Sequence, residues 1–304
     1  MSIKFSPVIA AEPRQLPGFT SLRYIDLEKL GVAASPLAVL DDFRVDGLPF
    51  SPHPHAGFAA VTYVFEDSQG GVHSRASLGA DLIVGPGGIV WTHAGSGVVH
   101  EEVPAIRGRE LHGLQLFVNL SAKNKLTAPQ VLHLEPSEVP QWRGAAGDRV
   151  RVVVGSFDDV SSPLVPAEPF TLLDVHLQQR ISFGLPAAHN AVVYVLSGYA
   201  AVGADGHQEK LEGGHALALH GGGRVTFEAL PPTHLLILSG AEIGEPVIAE
   251  GNFIMNEQSQ IDSAFARYRR GDMGRLAPRS QSRARISASR GPLERNQRNE
   301  GDRR

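Results

Sequence analysis

Two short strings carry the side chains best suited to metal chemistry, His53-Pro54-His55 and His100-Glu101-Glu102. In each string, two potential ligands are separated by one residue. On a β-strand this spacing places both side chains on the same face. Two such strands facing one another would bring three imidazoles and one carboxylate together. The sequence therefore predicts a mononuclear metal site.

Four protein ligands would leave one or two coordination positions open on a five- or six-coordinate ion, as chemistry at a metal requires. Imidazole with carboxylate suits Fe, Mn, Co, Ni, Cu or Zn, and kinship with iron sites of two histidines and one carboxylate favours Fe(II). An alternative stays open, because a histidine near a turn often lies at the surface without a function. Turn residues beside both strings favour ligands at the mouth of a barrel.

Composition excludes several other kinds of site. The chain of 304 residues has no cysteine, which rules out disulfides, thiolate ligands and cysteine nucleophiles. The formal net charge is −4, divided between +6 for residues 275–304 and −10 for the remainder. An acidic body makes nucleic acid an unlikely partner. No run of eighteen apolar residues occurs, and no basic segment followed by an apolar run begins the chain, so we expect a soluble, cytoplasmic protein.

Short apolar or alternating runs, broken by Gly, Pro, Asp and Ser, indicate an all-β fold of two tandem barrels or sandwiches. The candidate strands are 61–65, 81–84, 114–118, 150–154, 191–196, 199–202, 217–219, 225–227 and 235–238. Three prolines within 123–140 favour a boundary there. This divides the chain into an N-terminal metal-binding domain, 1–130, and a C-terminal domain, 131–274.

The end of the chain has a different pattern. Apolar residues at helical spacing predict one closing helix over 257–270, with Asn256 as its cap. Beyond it, residues 275–304 are rich in Arg, Ser, Asn, Gln and Gly and cannot bury enough surface to offset the entropy of ordering. We expect this arginine-rich tail to be disordered.

The ligand strings, with the motifs around them, resemble the pirin family. The shared segments are His53 to Phe58, Val61 to Val64, Ser77 to Gly79, Gly85 to Gly87, Trp91, Ala94 to Glu102, Leu111 to Leu120, Gly251 to Asn256 and Tyr268 to Gly274. The resemblance covers roughly residues 20–274. It implies a bicupin, two cupin-type barrels of which the first holds a metal through His53, His55, His100 and Glu102 and the second usually holds none.

The resemblance also implies a function. Members of the family include quercetin 2,3-dioxygenases, so we expect cleavage of quercetin or a related flavonol or enolic substrate with O₂. Glu102 would be the general base in addition to a ligand. Other members are described as metal- and redox-responsive regulators that act through protein partners, and this non-catalytic alternative stays open.

Several residues near the ligand strings carry finer expectations. Strand alternation turns Glu101 away from the ion, towards solvent or the rim. His112 and Gln115 are three residues apart, so in a regular strand at most one of them points at the metal. His73 and His93 are candidate contacts to the ligands or the substrate. The histidines of the C-terminal half show no i, i+2 pair and are expected to be structural or at the surface.

Overall fold

The protein is described from a computed structural model, which covers residues 2–27, 34–48, 50–230 and 232–277. The tail predicted to be disordered, apart from its first three residues, lies outside the described residues. Among the described residues, no helix combines the length and the apolarity that crossing a bilayer demands.

The first barrel is built almost entirely from the N-terminal half. The strands of this half are β1 (Lys4–Phe5), β2 (Ile9–Ala10), β3 (Glu12–Leu16), β4 (Phe19–Asp26), β5 (Leu37–Val45), β6 (His53–His55), β7 (Phe58–Val64), β8 (Val72–Ala76), β9 (Asp81–Val84), β10 (Ile89–His93), β11 (Val98–Pro104), β12 (Leu111–Asn119) and β13 (Gln130–Leu134). Strand β13 pairs with β10 at the edge of the large sheet of this barrel.

The second barrel follows a short 3₁₀ turn, Pro136–Glu138. Its half of the chain contains β14 (Gln141–Arg143), β15 (Arg149–Val154), β16 (Ser156–Phe157), β17 (Val160–Ser161), β18 (Phe170–Leu177), β19 (Arg180–Leu185), β20 (His189–Ser197), β21 (Tyr199–Ala204), β22 (His207–Glu212), β23 (His215–His220), β24 (Gly223–Ala229), β25 (Thr233–Ala241), β26 (Ile248–Glu250), β27 (Phe253–Met255) and helix α1 (Gln258–Arg270). Every predicted strand overlaps one of these elements.

The two barrels share one topology. In the first, a large sheet ordered β13-β10-β7-β12-β5-β4-β3 lies over a small sheet ordered β6-β11-β8-β9. In the second, β23-β20-β25-β18-β15-β14 lies over β19-β24-β21-β22 in the corresponding order. Strand β20 is therefore the counterpart of β7, β25 of β12, β18 of β5 and β15 of β4. Each barrel encloses its own interior between its two sheets.

The large sheets pack against each other across the middle of the molecule. Strands of both sheets contribute to one continuous buried cluster, in which the Trp91 ring lies 5.6 Å from the Phe170 ring. A strand such as β7 is consequently buried on both faces, with Tyr63 on the interface side and Thr62 on the barrel side. This explains why Phe58–Val64 is so rich in apolar residues.

One hydrogen-bonded set links Tyr63 of the first barrel to Asp174 of the second. The Tyr63 hydroxyl donates to Asp174 Oδ2 at 2.5 Å, and His234 Nε2 lies 2.6 Å from Asp174 Oδ1. Burial raises the pKa of Tyr63 well above its usual value, so the hydroxyl keeps its proton. Burial alone would lower the pKa of His234, but Asp174 raises it overall.

In a second hydrogen-bonded set, the tyrosine lies in the second barrel and the aspartate in the first. Tyr194 of the second barrel donates to Asp42 Oδ2 of the first at 2.5 Å, and His112 Nε2 lies 3.0 Å from Asp42 Oδ1. The pairing registers of the two sheets place Tyr194 at the position of Tyr63 and Asp42 at the position of Asp174. The interface is thus held by two reciprocal Tyr–Asp–His sets.

The chain ends are exchanged between the barrels. Strands β1 and β2 pair with β23 of the second barrel, whereas α1 and β27 pack on the first barrel around Ala56 and Val99. The closing helix thus covers the first barrel and not the second barrel, which precedes it in sequence.

The helix was correctly predicted, but its cap was not. The N-cap residue is Glu257, and Gln260 Oε1 accepts the backbone N–H groups of Asn256 and Glu257 at 3.0 and 3.2 Å. The Asn256 side chain donates to Glu245 and to the Pro246 carbonyl instead, which removes it from the capping role. Gly271, with φ of 86°, ends the helix in the left-handed region.

Candidate metal centre

The three predicted histidines converge on one point. Strands β6 and β11 are antiparallel neighbours, and their register places His53 opposite His100 and His55 opposite Val98. The three ring centroids lie 4.6 to 4.8 Å from one another, and one nitrogen from each ring falls within 4.8 Å of the other two. The i, i+2 spacings predicted that these three imidazoles would face one another together with Glu102, and their role as metal ligands stays a prediction.

A close backbone contact fixes the turn after β6. Gly57 has φ of 82°, and a Cβ atom built on it would lie 1.9 Å from the Ile254 carbonyl oxygen. Only glycine fits there, and segment 252–256 can therefore lie directly against the strand that carries the ligands. Lys125, fully buried, donates to the carbonyls of Gly57 and Ile254 and to Asn119, which ties the same contact together.

The three histidines are uncharged at physiological pH, which allows them to bind a cation. Burial lowers the pKa of all three, and for His100 burial with the neighbouring His53 lowers it to about 3. The rings are therefore neutral at physiological pH, with a lone pair available on each. The Nδ1 atoms of His55 and His100 are buried without a hydrogen-bond partner among the described residues. Such a set of neutral, partly unpartnered imidazoles fits a bound divalent ion.

Glu102 lies beside the histidines but not among them. Its Oε2 accepts a short hydrogen bond from Thr62 Oγ1, and its Oε1 accepts one from Ser74 Oγ at 3.2 Å. Burial raises the pKa of Glu102 to about 7, although both hydrogen bonds oppose the shift. Glu102 is not part of the group whose donor atoms lie within 4.8 Å of one another, and its coordination of a metal stays a prediction.

The expectation that Glu101 is solvated or lies at the rim is wrong. The residue is only 4% exposed, and its Oε2 lies 2.5 Å from Arg75 Nη2 on the neighbouring strand β8. Strand alternation does turn it away from the histidine side, as predicted. The burial is tolerated because the guanidinium neutralises the carboxylate with two N–H donors.

His112 and Gln115 point to opposite faces of β12, in agreement with their spacing. Gln115 lines the cavity beside the histidines and donates to the Val61 carbonyl at 3.0 Å. His112 belongs to the barrel interface. Two other candidates lie outside this cavity: His73 pairs with Asp81, and His93 with Thr127.

The histidines open into a cavity of about 420 Å³ inside the first barrel. Phenylalanine rings supply much of its wall. They are Phe19, Phe43, Phe50 and Phe117. Arg23 and Asp41 also line it, and sequence reasoning missed both residues. A carboxylate at position 41, on the same face of β5 as Phe43 and Val45, was the available signal.

A second group of potential ligands lies at the barrel interface. Asp174, His176 and His234 have donor atoms within 4.8 Å of one another. The two imidazole rings are stacked, 4.2 Å apart with 15° between their planes. Nearly parallel rings do not direct their in-plane lone pairs at a common point. Asp174 is moreover already hydrogen-bonded by Tyr63 and His234, so this group is part of the interface.

Comparison with known proteins places the chain in a family. The Pirin model matches residues 6–118, and the model of the Pirin C-terminal cupin domain matches residues 172–274. Pirin from Mus musculus is 31% identical over 280 residues, which cover 90% of this chain and 92% of that protein. The chain belongs to the pirin family. A pirin-like protein of Arabidopsis thaliana is 34% identical over 78% of this chain and 80% of its own length.

A solved structure agrees with this assignment. Quercetin 2,3-dioxygenase from Acinetobacter baumannii superimposes with a TM-score of 0.80 at 26% identity and covers 91% of this chain and all of its own. The predicted all-β bicupin architecture is confirmed by this similarity and by the two family matches.

Proposed function

We propose that this pirin is a metal-dependent dioxygenase that opens the ring of quercetin or a related flavonol with O₂. The observation that carries the proposal is the set of three neutral imidazoles at the wall of an aromatic-lined cavity. His53, His55, His100 and Glu102 would hold the ion, with Fe(II) as the expected metal. The similarity to a quercetin 2,3-dioxygenase supports the substrate class. The predicted domain limits and cytoplasmic location stay predictions.

When bound, the ion would supply a Lewis acid that lowers the pKa of an enolic hydroxyl and, as iron, an electron donor towards O₂. The protein's own groups have separate roles. The phenylalanine rings bind the planar substrate and exclude water. Glu102 takes the proton of the enolic hydroxyl, the general-base role that a carboxylate beside the ion can fill. Thr62 and Ser74 orient its carboxylate.

The test begins with elemental analysis of protein purified without a polyhistidine tag. Protein loaded anaerobically with Fe(II) is then mixed with quercetin and O₂, and loss of flavonol absorbance is followed. We expect turnover in the natural protein, its loss in His53→Ala and His100→Ala, and no change in His207→Ala. His207 is the matched control because it is exposed on the second barrel. Absence of turnover with every metal and enolic substrate would refute the proposed dioxygenase activity. It would favour the alternative, a non-catalytic regulator that acts through a protein partner.

A further inference from the structure

One line of polar side chains crosses the interior of the first barrel. Strands β4, β5, β12 and β7 are successive neighbours, and their registers place one inward-facing polar residue of each strand opposite the next. We call this line the polar row; it consists of Arg23, Asp41, Gln115 and Thr62. All four residues line the cavity, and Thr62 donates to Glu102 at the end of the row.

The second barrel shows that the fold does not need these polar groups. At the counterpart strands β15, β18, β25 and β20, the residues with the same pairing are Val152, Leu173, Ile237 and Val193. All four are fully buried in the apolar core of that barrel. The two Tyr–Asp–His sets fix this correspondence between the barrels. Asp42 and Asp174 occupy equivalent positions, so Asp41, which precedes Asp42, corresponds to Leu173, which precedes Asp174.

The Arg23–Asp41 pair is the part of the polar row whose burial costs the most free energy, because both side chains are charged. Two parallel hydrogen bonds join them, Arg23 Nε to Asp41 Oδ1 at 2.6 Å and Arg23 Nη2 to Asp41 Oδ2 at 2.5 Å. The side chains are only 17% and 8% exposed. Packed apolar residues at such positions are often as stable as the ion pair or more stable. Stability therefore does not account for the pair.

The pair is, however, equipped to bind a guest. Each carboxylate oxygen of Asp41 keeps a second lone pair that can accept a hydrogen bond. Arg23 uses three of its five N–H groups within the described residues, two towards Asp41 and one towards Asp26. A phenolic hydroxyl, which both donates and accepts, matches this combination.

We infer that the polar row orients the substrate, and that Arg23 and Asp41 select an aromatic compound with a hydroxyl remote from its reacting group. This inference rests on the proposed function and deepens it. Neighbouring strands are about 4.8 Å apart, so Asp41, two strands from Thr62, lies about 10 Å from the Glu102 end. The selected hydroxyl is on a different ring from the one that reacts, and the apolar part of the substrate lies against Phe43 and Phe117.

Two flavonols test the inference by direct binding. Quercetin carries several remote hydroxyls, whereas 3-hydroxyflavone carries only the reacting one. Dissociation constants are measured anaerobically on the metal-loaded protein by titration calorimetry, so that turnover plays no part. A hydrogen bond to a charged group corresponds to roughly a tenfold to hundredfold change in affinity. We expect the natural protein to prefer quercetin by about that factor.

The decisive variant is Arg23→Val with Asp41→Leu, which copies the residue pair of the second barrel. We expect the preference for quercetin to shrink to within about twofold, with 3-hydroxyflavone binding unchanged or tighter. Asp41→Asn, a nearly isosteric change, is the second variant and should reduce the preference by about tenfold. Asp26→Asn is the matched control, because it neutralises an Arg23 partner that lies outside the cavity lining, and it should leave the preference unchanged.

The outcomes are distinguishable. If quercetin binds and is turned over but both variants keep the natural preference, the inference is overturned and the proposed function stands. If the natural protein binds neither flavonol, both fail together. In turnover assays, the double variant should raise KM for quercetin with little change in kcat, because the remote contact is the same before and during the reaction.

Discussion

Replacing Tyr63 by phenylalanine tests whether the buried Tyr–Asp–His sets hold the two barrels together. The change removes a single oxygen atom and leaves the ring packing intact. It deprives Asp174 of a donor at 2.5 Å and leaves His234 as the remaining partner described above. The mirror-image change, Tyr194→Phe, removes the corresponding donor from Asp42.

The two changes are expected to differ in cost. The Asp174 side chain is 0% exposed, so water cannot replace the lost hydroxyl. A hydrogen bond to a charged, buried acceptor contributes about 2 to 3 kcal/mol to the free energy of unfolding. The Asp42 side chain is 13% exposed, and a water molecule can take the place of Tyr194 there. We expect about 1 kcal/mol for that change.

Equilibrium unfolding in urea, followed by tryptophan fluorescence, measures both free energies. Trp91 is buried against Phe170 of the other barrel and reports directly on the interface. Tyr199→Phe is the control, since Tyr199 is 50% exposed, and it should leave stability within about 0.5 kcal/mol of the natural value. The reasoning is refuted if Tyr63→Phe costs no more than this control, or less than Tyr194→Phe.

Two further changes probe charged groups that join distant segments. His176, whose Nε2 lies 3.3 Å from Glu66 Oε2, together with Arg149 and Arg151 holds the pKa of Glu66 below its ordinary 4.5, so its stabilisation is present above that pH and is lost in acid. Glu66→Gln should therefore lower the unfolding free energy by about 1 kcal/mol at neutral pH, and in urea titrations this difference should shrink progressively as pH falls below 4.5, towards the lowered pKa of Glu66 in the folded state. Lys125→Met leaves three buried acceptors unpaired and should cost about 3 kcal/mol. It should also weaken divalent-metal binding measured by calorimetry, because Lys125 holds the carbonyl of Gly57, two residues after His55. Unchanged metal affinity would contradict this link between Lys125 and His55.

Local patterns were sufficient to predict nine of the strands and to single out the histidines of the cluster. The i, i+2 spacing of His53 with His55, and of His100 with Glu102, has a direct geometric meaning on a strand, and the turns beside these pairs limited where the strands end. The opposite orientations of His112 and Gln115 followed from the same alternation. These expectations needed no knowledge of which strand pairs with which.

What the sequence could not supply was the pairing itself. The burial of Glu101 depends on Arg75, 26 residues earlier on a neighbouring strand, and nothing local connects the two. Arg23 and Asp41 likewise meet only through the register of β4 and β5. The exchanged chain ends were missed for the same reason, because short terminal strands such as Lys4–Phe5 carry no sign of the sheet that they join.

The contrast between the two interiors shows that one fold can enclose either a packed core or a cavity. The second barrel places apolar side chains on the two strands that correspond to β6 and β11, with Ile181 and Phe183 on β19 and Val225 and Phe227 on β24. Burial of a large apolar side chain contributes about 1.5 to 3 kcal/mol, so this barrel carries a full core of its own.

The first barrel gives up part of that contribution to keep a cavity and a polar row, although Phe43, Val64 and Val72 still pack inside it. The packed large sheets, the two reciprocal hydrogen-bonded sets and the helix that returns to cover Ala56 and Val99 add stability from outside the interior. Side chains at a preorganised site need rigid support, and these contacts therefore help to hold the strands that carry the histidine cluster.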